Sequence, residues 1–422
     1  MRIGSILRTS LFRDTSRLLS ANVLAQAVAL LIYPLLTRLF STDDFGLFNL
    51  FLTIGGILAL FATAQYEYAV PLPRSHRQAA WCVHSALPWL CIVLALCVLA
   101  LPFADGVASL FDAPRLADVL WLMPFYVAGL SLWALMRFWL VRQRRFDRVS
   151  TYQVDQSLLN AGMKVGSGYV HFGLGLVYAS VIAPLLSLAI TMARLPRRML
   201  APLFSVERRG VRYAMRRYRN FPFFSLPKSL IGNLAGNLPL LVMSPAFGLS
   251  TVGLLGMALT LSFSPINILC VSLSQVFYQR TSLLVQQRRP AAYICRQYVI
   301  WAAAVALPCF AALYFVLPWL CGWLLGCEWT EVGHYIRVML PWLFMVLIDN
   351  AINFLPDIFD RQRGSLVFVV ACVALQVVAL FVGVALGSPI LTVGLFFSIA
   401  AVTILVKLFW YRSILKRYER SL

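Results

Sequence analysis

Residues 46–69 read GLFNLFLTIGGILALFATAQYEYA, and the first charged side chain among them is Glu67, close to the far end. The apolar residues run on continuously instead of alternating with polar ones, which speaks for a helix and against a barrel strand. At about 1.5 Å per residue a helix of this length covers the roughly 30 Å hydrocarbon core of a bilayer. Backbone groups find no water there, so a spanning segment must satisfy its own hydrogen bonds. Working outward, the same pattern recurs near 17–38, 80–104, 117–140, 152–171, 173–193, 221–245, 250–276, 298–320, 334–357, 365–386 and 390–410. The chain is 61% hydrophobic and 12% charged, so little is left for a soluble domain. The predicted fold is an all-α polytopic membrane protein with twelve transmembrane helices.

The basic residues sort by side. Twenty-nine of the 36 lie in one alternate set of connections. These are the N-terminus up to Arg17, Arg74 and Arg77, the run Arg142–Arg148, nine arginines from Arg194 to Arg219, the group Arg280–Arg296, Arg361 with Arg363, and the tail from Arg412. The other connections hold Arg38 and Arg115, with Arg337 at a span edge. This asymmetry is the positive-inside pattern; it predicts cytoplasmic termini and an even number of spans. The first span, long and preceded by arginines, reads as a retained signal anchor. The net charge of +20 is accounted for by these loops and their contact with anionic headgroups. It does not call for nucleic acid, whose recognition needs basic and aromatic residues interleaved on one element.

The longest polar stretch divides the chain. It predicts an N-terminal six-helix lobe over 1–193, a basic cytoplasmic linker with a surface helix over 194–220, and a C-terminal six-helix lobe over 221–422. The halves echo each other: Tyr33-Pro34-Leu35-Leu36 matches Leu238-Pro239-Leu240-Leu241, and Ser41-Thr42 before Gly46 matches Ser250-Thr251 before Gly253. Two pseudo-symmetric lobes around a central cavity are a common transporter plan, with substrate held between them. Prolines such as Pro34 and Pro239 place kinks in the first and seventh spans.

Polar side chains inside spans are costly and mark functional candidates. The fifth span carries Gln156, Asn160, Lys164 and Ser167 on one face, with Asp155 beside them. The seventh carries Lys228 above Gly232 and Gly236, and a stripe of Ser229, Asn233 and Asn237. The first has Asn22, Gln26, Tyr33 and Thr37; the tenth has Asp349, Asn353 and Asp357; the second ends in Gln65 and Glu67. Either these stripes converge on a water-filled cavity, or they make interhelical hydrogen bonds worth about 1 kcal/mol each. For Lys164 and Lys228 the cavity is favoured, and its positive charge suits an anionic headgroup held by a compact ammonium. Arg17 and Arg38 flank the first span and offer a bidentate grip, or else snorkel to the interface. Glu67, Asp155 and Asp349 are candidates for ion or proton coupling; Glu67 and Asp349 could equally cap a helix or pair with a loop arginine.

Other chemistry lacks its residues. The four histidines show no metal spacing, and no Gly-x-x-x-x-Gly-Lys loop is present for ATP hydrolysis, so no metal or other cofactor is expected. The outer loops are too short for a glycan-assembling enzyme. Most of the nine cysteines lie in spans, but Cys321 and Cys327 flank an outer turn, where an oxidising compartment would permit a disulfide. Gly162 and Gly166 predict a close internal helix contact.

Four segments carry a family likeness. They are Tyr33-Pro34-Leu35-Leu36-Thr37-Arg38-Leu39-Phe40-Ser41 leading through Asp44-Phe45-Gly46, Tyr66-Glu67-Tyr68-Ala69-Val70-Pro71-Leu72-Pro73, Ser274-Gln275-Val276-Phe277-Tyr278, and Leu325-Gly326-Cys327-Glu328-Trp329 followed by Gly333-His334-Tyr335-Ile336-Arg337 and Leu340-Pro341-Trp342. In this order on a twelve-span plan, the chain resembles the O-antigen type oligosaccharide flippases of the multidrug/oligosaccharidyl-lipid/polysaccharide exporter superfamily. The resemblance implies a transporter, not an enzyme. The implied substrate is an undecaprenyl-diphosphate-linked oligosaccharide, moved from the cytoplasmic to the periplasmic leaflet of a bacterial inner membrane by alternating access. It implies a basic cavity, for which Lys228 and Lys164 are the best candidates and Arg17 the third. It also implies membrane lipids as surroundings and work beside a polysaccharide polymerase and chain-length machinery; a monomer is the default for a pseudo-symmetric bundle. The alternative within the superfamily is a cation-coupled small-molecule or drug antiporter, whose cavity should be acidic.

Overall fold

The computed structural model describes residues 23–205, 207–287, 290, 292–359 and 361–420. Arg17 and Asn22 lie outside the described residues, as does the side chain of Asp357. The longer helices, in chain order, are α1 (Val23–Leu39), α2 (Thr42–Thr63), α3 (His76–Leu99), α4 (Met123–Arg142), α5 (Phe146–Tyr169), α6 (Gly175–Ala193), α7 (Arg197–Phe204), α8 (Arg208–Arg217), α9 (Leu226–Phe247), α10 (Leu249–Gln286), α11 (Ala292–Leu325), α12 (Thr330–Ile352), α13 (Gln362–Ala385) and α14 (Pro389–Glu419). Among the described residues, 10 helical segments are long and apolar enough to cross a membrane. The two predicted spans not among them are the first and the fifth. The first is described only from Val23, and α5 is long enough but too polar, carrying amides and a lysine where its neighbours carry leucine. The protein is a multi-pass, all-helical membrane protein.

The helices form two compact units, Met1–Gly253 and Leu254–Leu422, with the boundary inside α10. In the first unit α2 is packed against α3, α4 and α9, and α5 lies along α6. Its start is well specified. Ser41 and Asp44 form a capping box, in which the Ser41 hydroxyl accepts from the Asp44 amide at 3.2 Å and the Asp44 carboxylate accepts from the Ser41 amide at 3.1 Å. Arg115 adds an ion pair to Asp44 at 2.9 Å. The repeated glycines explain themselves here. A Cβ on Gly46 would strike the Leu249 carbonyl oxygen, and one on Gly253 would strike that of Thr42. The starts of α2 and α10 therefore meet backbone to backbone, with the Ser250 hydroxyl 2.8 Å from that of Thr42. In the second unit α11 packs on α12, and α14 on both α12 and α13.

Several expectations change. The second span does not run unbroken to residue 69: Ala64 and Gln65 take left-handed backbone, with φ of 45° and 62°, and a 3-10 turn follows over Tyr66–Ala69. The first span breaks at Ile32, and Pro34 opens the new segment, where its missing amide proton costs nothing. Gly162 and Gly166 make no tight contact; among the described residues nothing lies within 4 Å of a Cβ on either. All nine cysteines are free thiols, Cys321 buried and Cys327 exposed. The linker carries two helices, α7 and α8, and neither floats free. His84 Nε2 lies 2.9 Å from the Leu203 carbonyl, Trp139 donates to that of Met199 at 3.2 Å, and Gly210 fits against the Trp81 ring with no room for a Cβ.

Candidate functional site

The polar face read on the fifth span is the wall of a cavity. Between α1 and α5 lies a space of about 310 Å³, lined by Gln26 and Tyr33 from α1 and by Gln153, Gln156, Asn160 and Lys164 from α5. The helical period accounts for the grouping, since Gln153, Gln156, Asn160 and Lys164 fall three to four residues apart. The Ser157 hydroxyl donates to the Ala25 carbonyl at 2.8 Å and ties the two helices together beside the cavity.

Two features make this space chemically open. The side-chain oxygens of Gln26 and Gln153 are buried without a hydrogen-bond partner among the described residues. An unsatisfied buried acceptor costs about 1–3 kcal/mol, so a ligand that brings hydroxyl donors recovers that cost. Lys164 has no carboxylate partner among the described residues. Its ammonium sits 4.2 Å from the centre of the Phe48 ring of α2, which steadies the cation without neutralising it. Amide acceptors beside one positive charge suit a ligand that is part sugar and part anion. Among the described residues no carboxylate lines this cavity.

The remaining predicted residues fall into other settings. On α9, Asn237 donates to the backbone and side-chain oxygens of Asn233 at 3.0 and 3.1 Å, and Ser229 donates to Gln65 at 3.2 Å. The α9 stripe thus meets the broken end of α2. Lys228 is exposed, as are Gly232 and Gly236, whose missing side chains leave that face of α9 open. Glu67, on the 3-10 turn, is buried. Thr63 and the cation Arg137 lie near it, and its Oε2 has no partner among the described residues. Arg38 is exposed.

The other two carboxylates are occupied. Asp155 accepts from Arg194 at 2.8 Å. In the second unit, Lys407 of α14 donates to Asp349 at 2.9 Å and to Asn353 at 3.1 Å, and the Tyr411 hydroxyl donates to Asn353 at 3.3 Å. Lys407 and Arg137 were passed over in the sequence, although each is a cation within or at the end of a predicted span. Gln153 was passed over too, although it continues the Gln156–Asn160–Lys164 face by one turn.

Comparisons with known proteins agree with this architecture. The sequence profile of the family described as polysaccharide biosynthesis protein matches residues 35–334. The chain belongs to the polysaccharide biosynthesis protein family. No curated protein matches the chain. Among solved structures, this family member is similar to the lipid II flippase MurJ in an inward closed conformation, with a TM-score of 0.72 at 12% identity over 97% of this chain and 90% of that one. It is similar to an inward-facing multidrug resistance MATE transporter of the MOP superfamily, with a TM-score of 0.63 at 14% identity over 95% and 96%. A MOP superfamily transporter from Pyrococcus furiosus, whose binding pocket is described as reversed in polarity, gives 0.54 at 15% identity over 96% of each chain. At such identities the likeness is one of fold, and the fold is that of transporters.

Proposed function

We propose that this family member is a flippase for undecaprenyl-diphosphate-linked oligosaccharide repeat units. It moves them from the cytoplasmic to the periplasmic leaflet of a bacterial inner membrane by alternating access, for O-antigen, capsule or exopolysaccharide assembly. One observation carries the reading: among the described residues the α1–α5 cavity holds an unneutralised ammonium, Lys164, beside amide oxygens that lack donors, and no carboxylate. A diphosphate satisfies the first and sugar hydroxyls the second. A drug antiporter would want the opposite charge in that wall. On this reading the two six-helix lobes are 1–193 and 221–422, both termini are cytoplasmic, and the protein acts as a monomer that hands its cargo to a polymerase and chain-length machinery. Lys228 and Arg38, exposed on α9 and α1, serve the headgroup during entry or exit, and Arg17, outside the described residues, is the third cation assigned to it. Asn22, Asn233, Asn237 and Asn353 serve the sugars. Glu67 is the coupling candidate whose carboxylate is least neutralised, because Asp155 and Asp349 already hold cations.

The test is deletion of the gene in its host, with the plasmid-borne chain restored as wild type, Lys164→Ala or Lys164→Arg. Extracted lipid-linked glycan and surface polysaccharide are measured together. The expected result is that deletion and Lys164→Ala both accumulate a complete repeat unit on its lipid and lose surface glycan, while Lys164→Arg recovers part of it. Full surface glycan in the deletion, with altered sensitivity to cationic drugs, would overturn the reading in favour of the antiporter.

A further inference from the structure

The linker helix α8 has the sequence RRGVRYAMRR, five arginines and no acid. Its buried face is minimal: Gly210 and Ala214 seat it against α3. The opposite face carries Arg208, Arg209, Arg212, Tyr213 and Arg216, which line a concave space of about 300 Å³. All five arginines are exposed, and among the described residues none pairs with a carboxylate. The nearest acid in sequence, Glu207, is held by Arg77 at 3.0 Å. Four close like charges would repel each other unless an anion sat among them.

Position tells which anion. The helix is not suspended in solution beyond the membrane. Trp81 packs on Gly210, and the Ser85 hydroxyl oxygen lies 3.4 Å from the Val211 carbonyl oxygen. Ser85 lies roughly 13 Å along α3 from its first residue, His76, so α8 lies alongside the spanning helix instead of capping it. Exposed aromatic side chains flank and interrupt the arginines in sequence: Phe204 is 74% exposed, Tyr213 56%, and Phe223 and Phe224 71% and 72%. Exposed aromatics beside a row of arginines mark the headgroup layer, where rings enter the acyl boundary and guanidinium groups grip phosphate.

We propose that α8 is a binding site for anionic phospholipid headgroups. Arg208, Arg209, Arg212 and Arg216 hold lipid phosphates in the leaflet that receives the basic loops. The site is distinct from the cargo cavity and does not depend on what the cargo is. Its occupants are the annular lipids of the membrane, which fix the linker and the start of α9 against the bilayer surface.

The full-length protein, wild type and with R208Q/R209Q/R212Q/R216Q, is reconstituted into phosphatidylcholine vesicles with and without phosphatidylglycerol. Thermal unfolding and the phosphatidylglycerol retained after gentle extraction are recorded. Each cation at an anionic surface contributes about fivefold in affinity, so the quadruple variant should retain phosphatidylglycerol at least about tenfold more weakly. It should also lose the anionic-lipid dependence of its unfolding temperature, while matching wild type in pure phosphatidylcholine. The corresponding arginine-to-lysine variant should keep most of the effect. If the quadruple variant does not fold, raised salt applied to the unmodified protein should abolish the same dependence. Equal phosphatidylglycerol retention by wild type and variant, or a dependence insensitive to salt, would overturn the proposal. Stabilisation by inorganic pyrophosphate in phosphatidylcholine vesicles equal to that by phosphatidylglycerol would overturn it in favour of a soluble anion.

Discussion

The Asp349–Lys407 pair offers a quantitative test of the second unit. The two side chains are 10% and 14% exposed and meet at 2.9 Å, so water screens them little. Removing one member of a buried pair leaves an uncompensated charge, at a cost of about 3–5 kcal/mol. The two deletions should differ. In Asp349→Asn the ammonium keeps Asn353 at 3.1 Å and the Tyr411 ring at 5.5 Å, which places the loss near the lower figure, about 3 kcal/mol. In Lys407→Met the carboxylate loses the only partner of Oδ2 among the described residues, and its Oδ1 already has none, so the loss should approach about 4 kcal/mol. The double variant Asp349→Asn/Lys407→Met removes both charges and should fall within about 1 kcal/mol of wild type, since a buried pair and a well-packed neutral replacement are of similar worth. Reversible unfolding of the purified protein in a fixed detergent measures all four corners of this cycle. Additive losses, with the double variant the least stable of the set, would refute the claim that the two charges depend on each other.

Gly46→Ala and Gly253→Ala should each destabilise the protein by about 1–3 kcal/mol, because the new Cβ meets fixed backbone oxygens; an unchanged unfolding midpoint in either would show that α2 and α10 can separate. Gly162→Ala and Gly166→Ala should instead stabilise α5 by up to about 1 kcal/mol, and a loss of stability would reveal a close partner for that face. Asp147, at the start of α5, is held below the usual carboxylate range by its hydrogen bonds to Arg145, with the charges of Arg145 and Arg148 helping. Its folded value is depressed, so its contribution is present above the unfolded value and fades as pH falls through the folded one. Asp147→Asn should therefore lower stability at neutral pH by less than about 1 kcal/mol, the pair being half exposed, and the difference from wild type should vanish in acid. A difference that persists unchanged in acid would rule out the ion pair as its source.

Much of the candidate site was legible before the fold was. Gln156, Asn160 and Lys164 could be grouped from spacing alone, because residues on one helix face recur with the helical period whatever the surroundings. The same holds for Asn233 and Asn237, which do bond to each other. The partners could not be read in this way. Asp349 and Lys407 stand 58 positions apart, and nothing in either helix records that the two are neighbours. The partners of each polar stripe were equally hidden: within the first unit α1 meets α5 and α9 meets the end of α2, and within the second α12 meets α14.

The amino-acid sequence by itself determined where the chain crosses the bilayer and which connections carry positive charge. Both are one-dimensional quantities, since a hydrocarbon core imposes a fixed length of apolar helix and the membrane counts charges loop by loop. Only the tertiary structure decided which polar groups are left unsatisfied, and that property makes a site. Lys164 and Asp155 lie about two and a half turns apart on one helix, and in sequence each is an ionisable group within one predicted span. Packing gives Asp155 an arginine, and leaves Lys164 with an aromatic ring and unbonded amide oxygens across a cavity. The physical reason is that burial and partnership depend on which helices touch, and that is set by the close approach of small residues such as Gly46, Gly253 and Gly210 far along the chain.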